Sequence, residues 1–300
     1  MLKEITTVIQ KFLQFLKSPK DRFAEPVTSN DRYRIFTVLF FAAMLLNLLV
    51  IIPLLWMVDE YVMKFTDSSM SRHTIWFLLF LTVIFAPLWE EFVFRFPLKT
   101  ERNYLVRWAD KLVGKPVFSN FWNRHFAVIF YLIALLFGFA HSFKSGNVWT
   151  PLYLLLLPLL ILSQSIAGLI LGYIRLRLGF LWAVLFHACF NFVVISVPYL
   201  SYQHTEIISH KTPDYELKVI GLFCRDSSNT YFTYDKREGK IFMVQGTNID
   251  LQFFLNSFLD KEYKVMDGEL VHLYFKSKKG LTEQELIKRL KEDFEITEQQ

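Results

Sequence analysis

Apolar runs dominate the first two hundred positions. They lie at about Tyr33–Met57, from Thr74 into the pair Glu90-Glu91, at His125–Phe143, at Trp149–Tyr173 and at Phe180–Leu200. Several approach the ~20 apolar residues that a helix needs to cross a bilayer. Asp59–Arg72 is a polar loop between the first two, and Arg175-Leu176-Arg177-Leu178-Gly179 is a tight basic turn before the last. The second pattern continues past Pro97 through Leu98, Tyr104, Leu105 and Trp108, with the proline as a kink. Pro158 inside the fourth run is tolerated in a membrane helix. Ahead of all these, Leu2, Ile5, Ile9, Phe12, Leu13 and Leu16 recur at helical spacing among Lys3, Lys11 and Lys17. Such a helix either lies on the membrane surface or packs on the first span. Ser18–Arg32 is a polar linker with two prolines.

The pattern changes after Leu200. Glu216–Phe223, Thr230–Tyr234, Lys240–Val244, Tyr263–Met266 and Leu270–Phe275 are short runs rich in β-branched and aromatic residues, with turn signals at Asp235–Gly239 and Asp267-Gly268. Asn248 or Asp250 is placed to cap a helix through Leu259, and Thr282 with Glu285 forms a capping-box pattern for a helix to about Phe294. The expected architecture is an all-α polytopic membrane bundle of about five spans with an N-terminal amphipathic helix and a small C-terminal α+β soluble domain. The expected boundaries are 1–32 for the N-terminal segment and linker, 33–201 for the membrane domain and 202–300 for the soluble one.

Composition agrees. The 300 residues are 53% hydrophobic and include 32 phenylalanines. The net charge of +5 is concentrated before residue 201. That distribution suits lipid headgroups and the positive-inside rule, and no basic, aromatic-interleaved stripe for nucleic acid is present. Taken as cytoplasmic, the basic loops Lys99–Arg124 and Arg175–Arg177 put the N-terminus in the cytoplasm and residues 201–300 on the other side. The start lacks the compact apolar core and small-residue cleavage site of a signal peptide. Cys189 and Cys224 fall in different regions and give neither a disulfide framework nor a zinc spacing.

Three polar clusters interrupt the apolar runs: Glu90-Glu91-x-x-x-Arg95, Phe137-Gly138-Phe139-Ala140-His141 and His187-Ala188-Cys189-Phe190-Asn191. Ionisable groups in a membrane helix cost several kcal/mol and usually face a bundle interior or a watery cavity. Glu91 and Arg95 are one helical turn apart and share a face, while Glu90 is turned about 100° from Glu91. His187 and Asn191 likewise share a face. Each cluster alone has an ordinary reading: a charged helix end, or a histidine bonding between helices. Together they supply what is needed to polarise a water or hold a metal and to stabilise an oxyanion. His210 and His272 in the tail read as isolated surface or packing histidines.

The ordered set resembles the CPBP family, the CAAX-processing and bacteriocin-processing intramembrane proteases also called the Abi family. Glu90-Glu91-x-x-x-Arg95 is similar to the family's first motif and Phe137-x-x-x-His141 to its second. Gly168 through Arg175, Gly179-Phe-Leu-Trp182 and His187-x-x-x-Asn191 resemble the third motif and its lead-in. Phe96 departs from the glycine that many members carry. The resemblance covers about Thr74–Leu200. It implies an integral multi-pass endopeptidase, expected in the plasma (inner) membrane of a bacterium, acting on a peptide or protein substrate delivered at the bilayer. It implies Glu90 and His141 as the water-activating or metal-binding pair, and Glu91–Arg95 as a structural ion pair. His187 and Asn191 would bind metal or stabilise the oxyanion. A divalent metal such as zinc, if present, would be held by Glu90, His141 and His187. Two other readings are a non-proteolytic binding protein of the same fold and a membrane-anchored scaffold acting through its tail. No His-Glu-x-x-His, Gly-x-Ser-x-Gly or Gly-x-Gly-Asp occurs.

One expectation sets a geometric test. At about 1.5 Å per residue, Glu90 lies ~13 Å from Lys99 and His187 ~15 Å from Arg177, but His141 lies ~25 Å from Arg124. A simple upright third span cannot bring His141 level with the others, so that span either starts well after Arg124 or tilts.

Overall fold

The structure is a computed structural model, and it describes residues 2–23, 25–63, 73–142, 150–265 and 269–299. The polar loop beyond Met63, the span ends at Phe143 and Trp149, and the Met266 strand end with the Asp267-Gly268 turn lie outside the described residues. The helices are α1 Leu2–Lys17, α2 Ser29–Leu46, α3 Ile52–Tyr61, α4 Ile75–Leu79, α5 Ala86–Phe94, α6 Tyr104–Val113, α7 Val117–Arg124, α8 Phe126–Ser142, α9 Pro151–Leu160, α10 Leu162–Arg177 and α11 Phe180–Tyr202. The strands and helices that follow are β1 Thr205–Lys211, β2 Tyr215–Leu222, β3 Tyr231–Arg237, β4 Lys240–Asp250, α12 Leu251–Phe258, β5 Tyr263–Val265, β6 Leu270–Thr282, α13 Glu283–Leu290 and β7 Ile296–Glu298. Two compact units result, residues 1–65 with 81–192, and residues 66–80 with 193–300.

Among the described residues, four helical stretches are long and apolar enough to cross a membrane: Ser29–Tyr61, Ile75–Leu98, Pro151–Arg177 and Phe180–Tyr202. A fifth is reached if α7 and α8, bent by 79° at His125, count as one. The bend decides between the sequence alternatives. α7 leaves the axis of α8, so Arg124 does not mark depth along it. Pro97 does more than kink its helix: α5 stops at Phe94, a 3-10 turn covers Phe96–Leu98, and Tyr104–Val113 is a separate helix capped by the Asn103 side chain.

Two spans widen into a π-helix just before a proline, at Asn47–Ile51 ahead of Pro53 and at Phe80–Phe85 ahead of Pro87. Proline has no N–H to donate and crowds the carbonyl of the preceding turn, so the ladder relaxes there. Polar side chains from other helices meet both widened segments. The Asn47 Oδ1 accepts from Ser163 Oγ at 2.8 Å, and the Thr82 carbonyl accepts from Asn191 Nδ2 at 2.8 Å.

Small residues bring α8 and α10 close. A Cβ on Gly138 would sit 2.2 Å from Ser165 Oγ, and one on Gly172 would sit 2.6 Å from the Phe130 ring. The N-terminal helix packs on this pair, with the Phe15 ring 5.2 Å from Phe130 and 5.1 Å from Tyr173. It also leaves Leu2 and Leu13 exposed, so the surface and packing readings of α1 describe two faces of one helix.

In the tail, five antiparallel strands run in the order β1-β2-β6-β4-β3, and β5 pairs with β7. Leu217, Val219, Val244, Phe275, Phe254 and Leu286 join strands and both helices in one apolar core. Asp250 caps α12 by accepting from Phe253 N, and Thr282 and Glu285 form the predicted capping box. The helix after that box ends at Leu290, short of Phe294, and Asn248 belongs to β4. Glu238 and Gly239 both take positive φ in the tight β3–β4 turn, the conformation two-residue hairpins favour.

Candidate active site

The three clusters meet. Glu90 and Glu91 sit on α5, His141 on the last turn of α8, and His187 and Asn191 on α11. Glu90 Oε2 lies 3.6 Å from His141 Nε2 and 3.8 Å from His187 Nε2. The approach that the helix count made difficult is therefore present, through the far end of α8.

Glu91 is fully buried and faces the other way. Its Oε1 lies 3.0 Å from His187 Nδ1 and 3.5 Å from Arg95 Nη1. Arg95 is itself 1% exposed, and its guanidinium stacks 3.7 Å from the centre of the Phe137 ring. A buried charge pair stabilises little on balance, because desolvation offsets attraction, but breaking it leaves a bare charge. The electron-rich ring face of Phe137 gives the Arg95 cation a second, complementary partner. The same phenylalanine touches His141 at 4.6 Å and His187 at 5.9 Å between centroids, so one side chain supports three members of the cluster.

Hydrogen bonds orient both imidazoles. His141 Nδ1 lies 2.8 Å from the Phe137 carbonyl, an acceptor only, so Nδ1 carries the proton. His187 Nδ1 faces the Glu91 carboxylate and donates to it. Both Nε2 atoms therefore present lone pairs toward Glu90 Oε2. Two imidazole nitrogens thus flank one carboxylate oxygen, an arrangement that suits a shared proton or a polarised water. The donor set is also of the His/Glu kind that binds zinc, and its backing by a carbonyl and a carboxylate is what such ligands ordinarily have. Tetrahedral bonds of 2.0–2.1 Å put ligand atoms about 3.3 Å apart, closer than the 3.6 and 3.8 Å that separate Glu90 Oε2 from the two imidazoles, and the three ligand atoms do not all lie within 4.8 Å of one another. Asn191 takes a different place from the other polar residues, since its Nδ2 donates to the Thr82 carbonyl.

Arg175 belongs to the site's support, a role the sequence did not single out. It is 1% exposed, and it donates from Nε to the Arg95 carbonyl at 3.1 Å and from Nη2 to the Phe96 carbonyl at 3.3 Å. These carbonyls end the helix that carries both glutamates, where a cation is favoured. Phe96 forms part of the enclosure: the Arg175 guanidinium lies 5.5 Å from its ring and 5.4 Å from that of Phe180. The aromatic departure at Phe96 thus has a packing partner. A signal was available, because an arginine inside an otherwise apolar helix needs a partner, but its proximity to the basic turn disguised it.

His272, read as isolated, has company in the tail. His204 Nε2, Asp226 and His272 bring their donor atoms within 4.8 Å of one another. His204 and Asn248 both hold positive φ beside this trio. The backbone N–H of Asn248 donates to His272 Nδ1 at 3.1 Å, which leaves the proton on Nε2, facing Asp226 Oδ2 at 3.6 Å. A cation would have to displace that proton, so the trio is built as a hydrogen-bonded corner. Burial holds the His272 pKa below the usual imidazole value, against the pull of Asp226.

An apolar helical bundle enclosing a glutamate pair, two histidines and a buried arginine defines an integral membrane protein of the polar-site kind. Residues 72–193 match the family described as Type II CAAX prenyl endopeptidase Rce1-like. The match covers that stretch alone, and over it the resemblance to CAAX-processing proteases read from the three motifs holds. The match supports a CAAX protease-type intramembrane endopeptidase in general terms. No curated protein and no solved structure matches the chain.

Proposed function

We propose that the chain hydrolyses a peptide bond of a membrane-delivered substrate with a water activated by Glu90, within a membrane domain of residues 33–201 to which a soluble domain of residues 202–300 is attached. The observation that carries this is the convergence of His141 Nε2 and His187 Nε2 on Glu90 Oε2. Glu90 serves as general base: it takes a proton from water as the oxygen attacks the substrate carbonyl, and returns it to the leaving amine. His141, held by the Phe137 carbonyl, positions that water. His187, fixed by Glu91, stabilises the developing oxyanion in its imidazolium form, with a proton on Nε2 as well as on Nδ1. Glu91 and Arg95 hold His187 and the helix end in register, and Asn191 fixes the widened segment from which α5 starts. Where a divalent metal binds, Glu90, His141 and His187 would hold it, and it would supply Lewis-acid polarisation of water or carbonyl. The non-proteolytic and scaffold readings are not favoured, since every polar position of the three motifs is filled.

Comparative proteomics of membranes carrying wild-type or Glu90→Gln protein tests the reading. Substrates should persist uncleaved with Glu90→Gln and with His141→Ala. Identical cleavage patterns in all three membranes contradict it.

A further inference from the structure

Two cavities lie beside the N-terminal helix, and none of the six residues predicted for the site lines either of them. One, of about 300 Å³, is polar at its rim, with Lys3, Lys11, Arg34 and Arg177 set against Glu4, Glu25 and Asp31. The other, of about 490 Å³, is an apolar groove between α1 and α2, lined by Ile5, Ile9, Val38, Phe41, Ala42 and Leu45. Glu4 and Arg34 line both, so the two cavities adjoin at that ion pair.

The charges of the polar end are unequally used. Arg34 is held by Glu4 at 3.1 Å and by Asp31, and Lys11 reaches Glu25 only at 4.0 Å. Lys3 has no ion pair among the described residues, and four cations face three carboxylates. The position along the fold is equally specific. Leu2, Ile5 and Leu13 project exposed from α1, the arrangement of a helix seated at the headgroup boundary. From Arg34 to Leu45 the groove follows α2 for about 16 Å at ~1.5 Å per residue. That is about half the ~30 Å hydrocarbon thickness, one leaflet.

We propose that these adjoining cavities together bind one anionic phospholipid. Its phosphate lies among Lys3, Lys11 and Arg34, and one acyl chain runs along the α1–α2 groove. A free anion would leave the groove empty, and a plain hydrocarbon would leave the surplus positive charge unmatched. The lipid would tie α1 to the first span.

The test uses the full-length protein purified in detergent, with phosphatidylglycerol, phosphatidylcholine and inorganic phosphate as probes, read by native mass spectrometry and thermal unfolding. Wild-type protein should retain one phosphatidylglycerol and melt several degrees higher with it, and should respond little to the other two. Ala42→Trp, which fills the groove, should lose retention. The exposed double variant Lys3→Gln/Lys11→Gln should keep its fold and bind the two lipids alike. Equal retention of both lipids by wild type would show only an unspecific lipid annulus and overturn the proposal. So would a matching shift with inorganic phosphate alone, or unchanged phosphatidylglycerol preference in the double variant.

Discussion

At the residue scale, adjacent glutamates have separate surroundings. Glu91 is fully buried and bound to His187 and Arg95, whereas Glu90 faces two imidazole lone pairs. Their substitutions should therefore differ in kind. Arg95→Met leaves the Glu91 carboxylate buried without its cation, a loss of about 3–5 kcal/mol in stability, read as a fall in melting temperature. Glu90→Gln should leave melting nearly unchanged and remove activity. Arg175→Ala strips donors from two helix-end carbonyls and should cost about 1–3 kcal/mol. Arg175→Lys should recover only part, because a single ammonium cannot span both carbonyls as the guanidinium does. The pairing of Glu91 with Arg95 was legible from their spacing on one helix face. Arg175 was not, because its partners are backbone carbonyls eighty and seventy-nine positions away, and carbonyls leave no mark in a sequence.

At the scale of elements, prolines and glycines govern where the site sits. The π-helix at Phe80–Phe85 rotates the start of α5, and Asn191 closes the carbonyl it exposes. Gly138 and Gly172 let α8 approach α10. Gly172→Val should overpack this contact and cost about 1–3 kcal/mol, lowering the melting temperature and, through displacement of His141, activity. The apolar runs located the spans to within a few residues. They concealed the 79° turn at His125, since periodicity reports a helix but not the angle to its neighbour. The β1 strand, Thr205–Lys211, passed unread because half of it is polar and its value lies in pairing with β2.

The tail's His204–Asp226–His272 corner gives a pH dependence. The His272 pKa is held down by burial, and that of Asp226 lies below the usual carboxylate value: burial raises it, but the His204 and Ser227 hydrogen bonds outweigh this. Both shifts act in the same direction. The unfolded chain binds more protons, so the His272 contribution is complete above about pH 6.5 and falls as pH drops toward its folded pKa, and the Asp226 contribution falls below about pH 3.8. Protection factors of the Asp226 and Asn248 amides, corrected for the intrinsic slowing of exchange on acidification, should fall between pH 7.5 and 5. Protection that rises on acidification would contradict this assignment.

For the whole molecule, the match to the Rce1-like family covers residues 72–193, and every polar group of the proposed mechanism lies inside that stretch. The family was legible because its motifs are short, ordered and set in apolar helices. Their mutual contact was not, since it depends on the bend, the widened helices and the small-residue packing together. The most direct measurement is single-turnover cleavage of membrane-embedded peptides by the purified protein in lipid vesicles, followed by mass spectrometry of the products. The account predicts that wild-type protein cuts and that Glu90→Gln, folded and equally inserted, is slower by about 10²–10⁴-fold, the range general-base catalysis supplies. Cleavage by Glu90→Gln at the wild-type rate would contradict it.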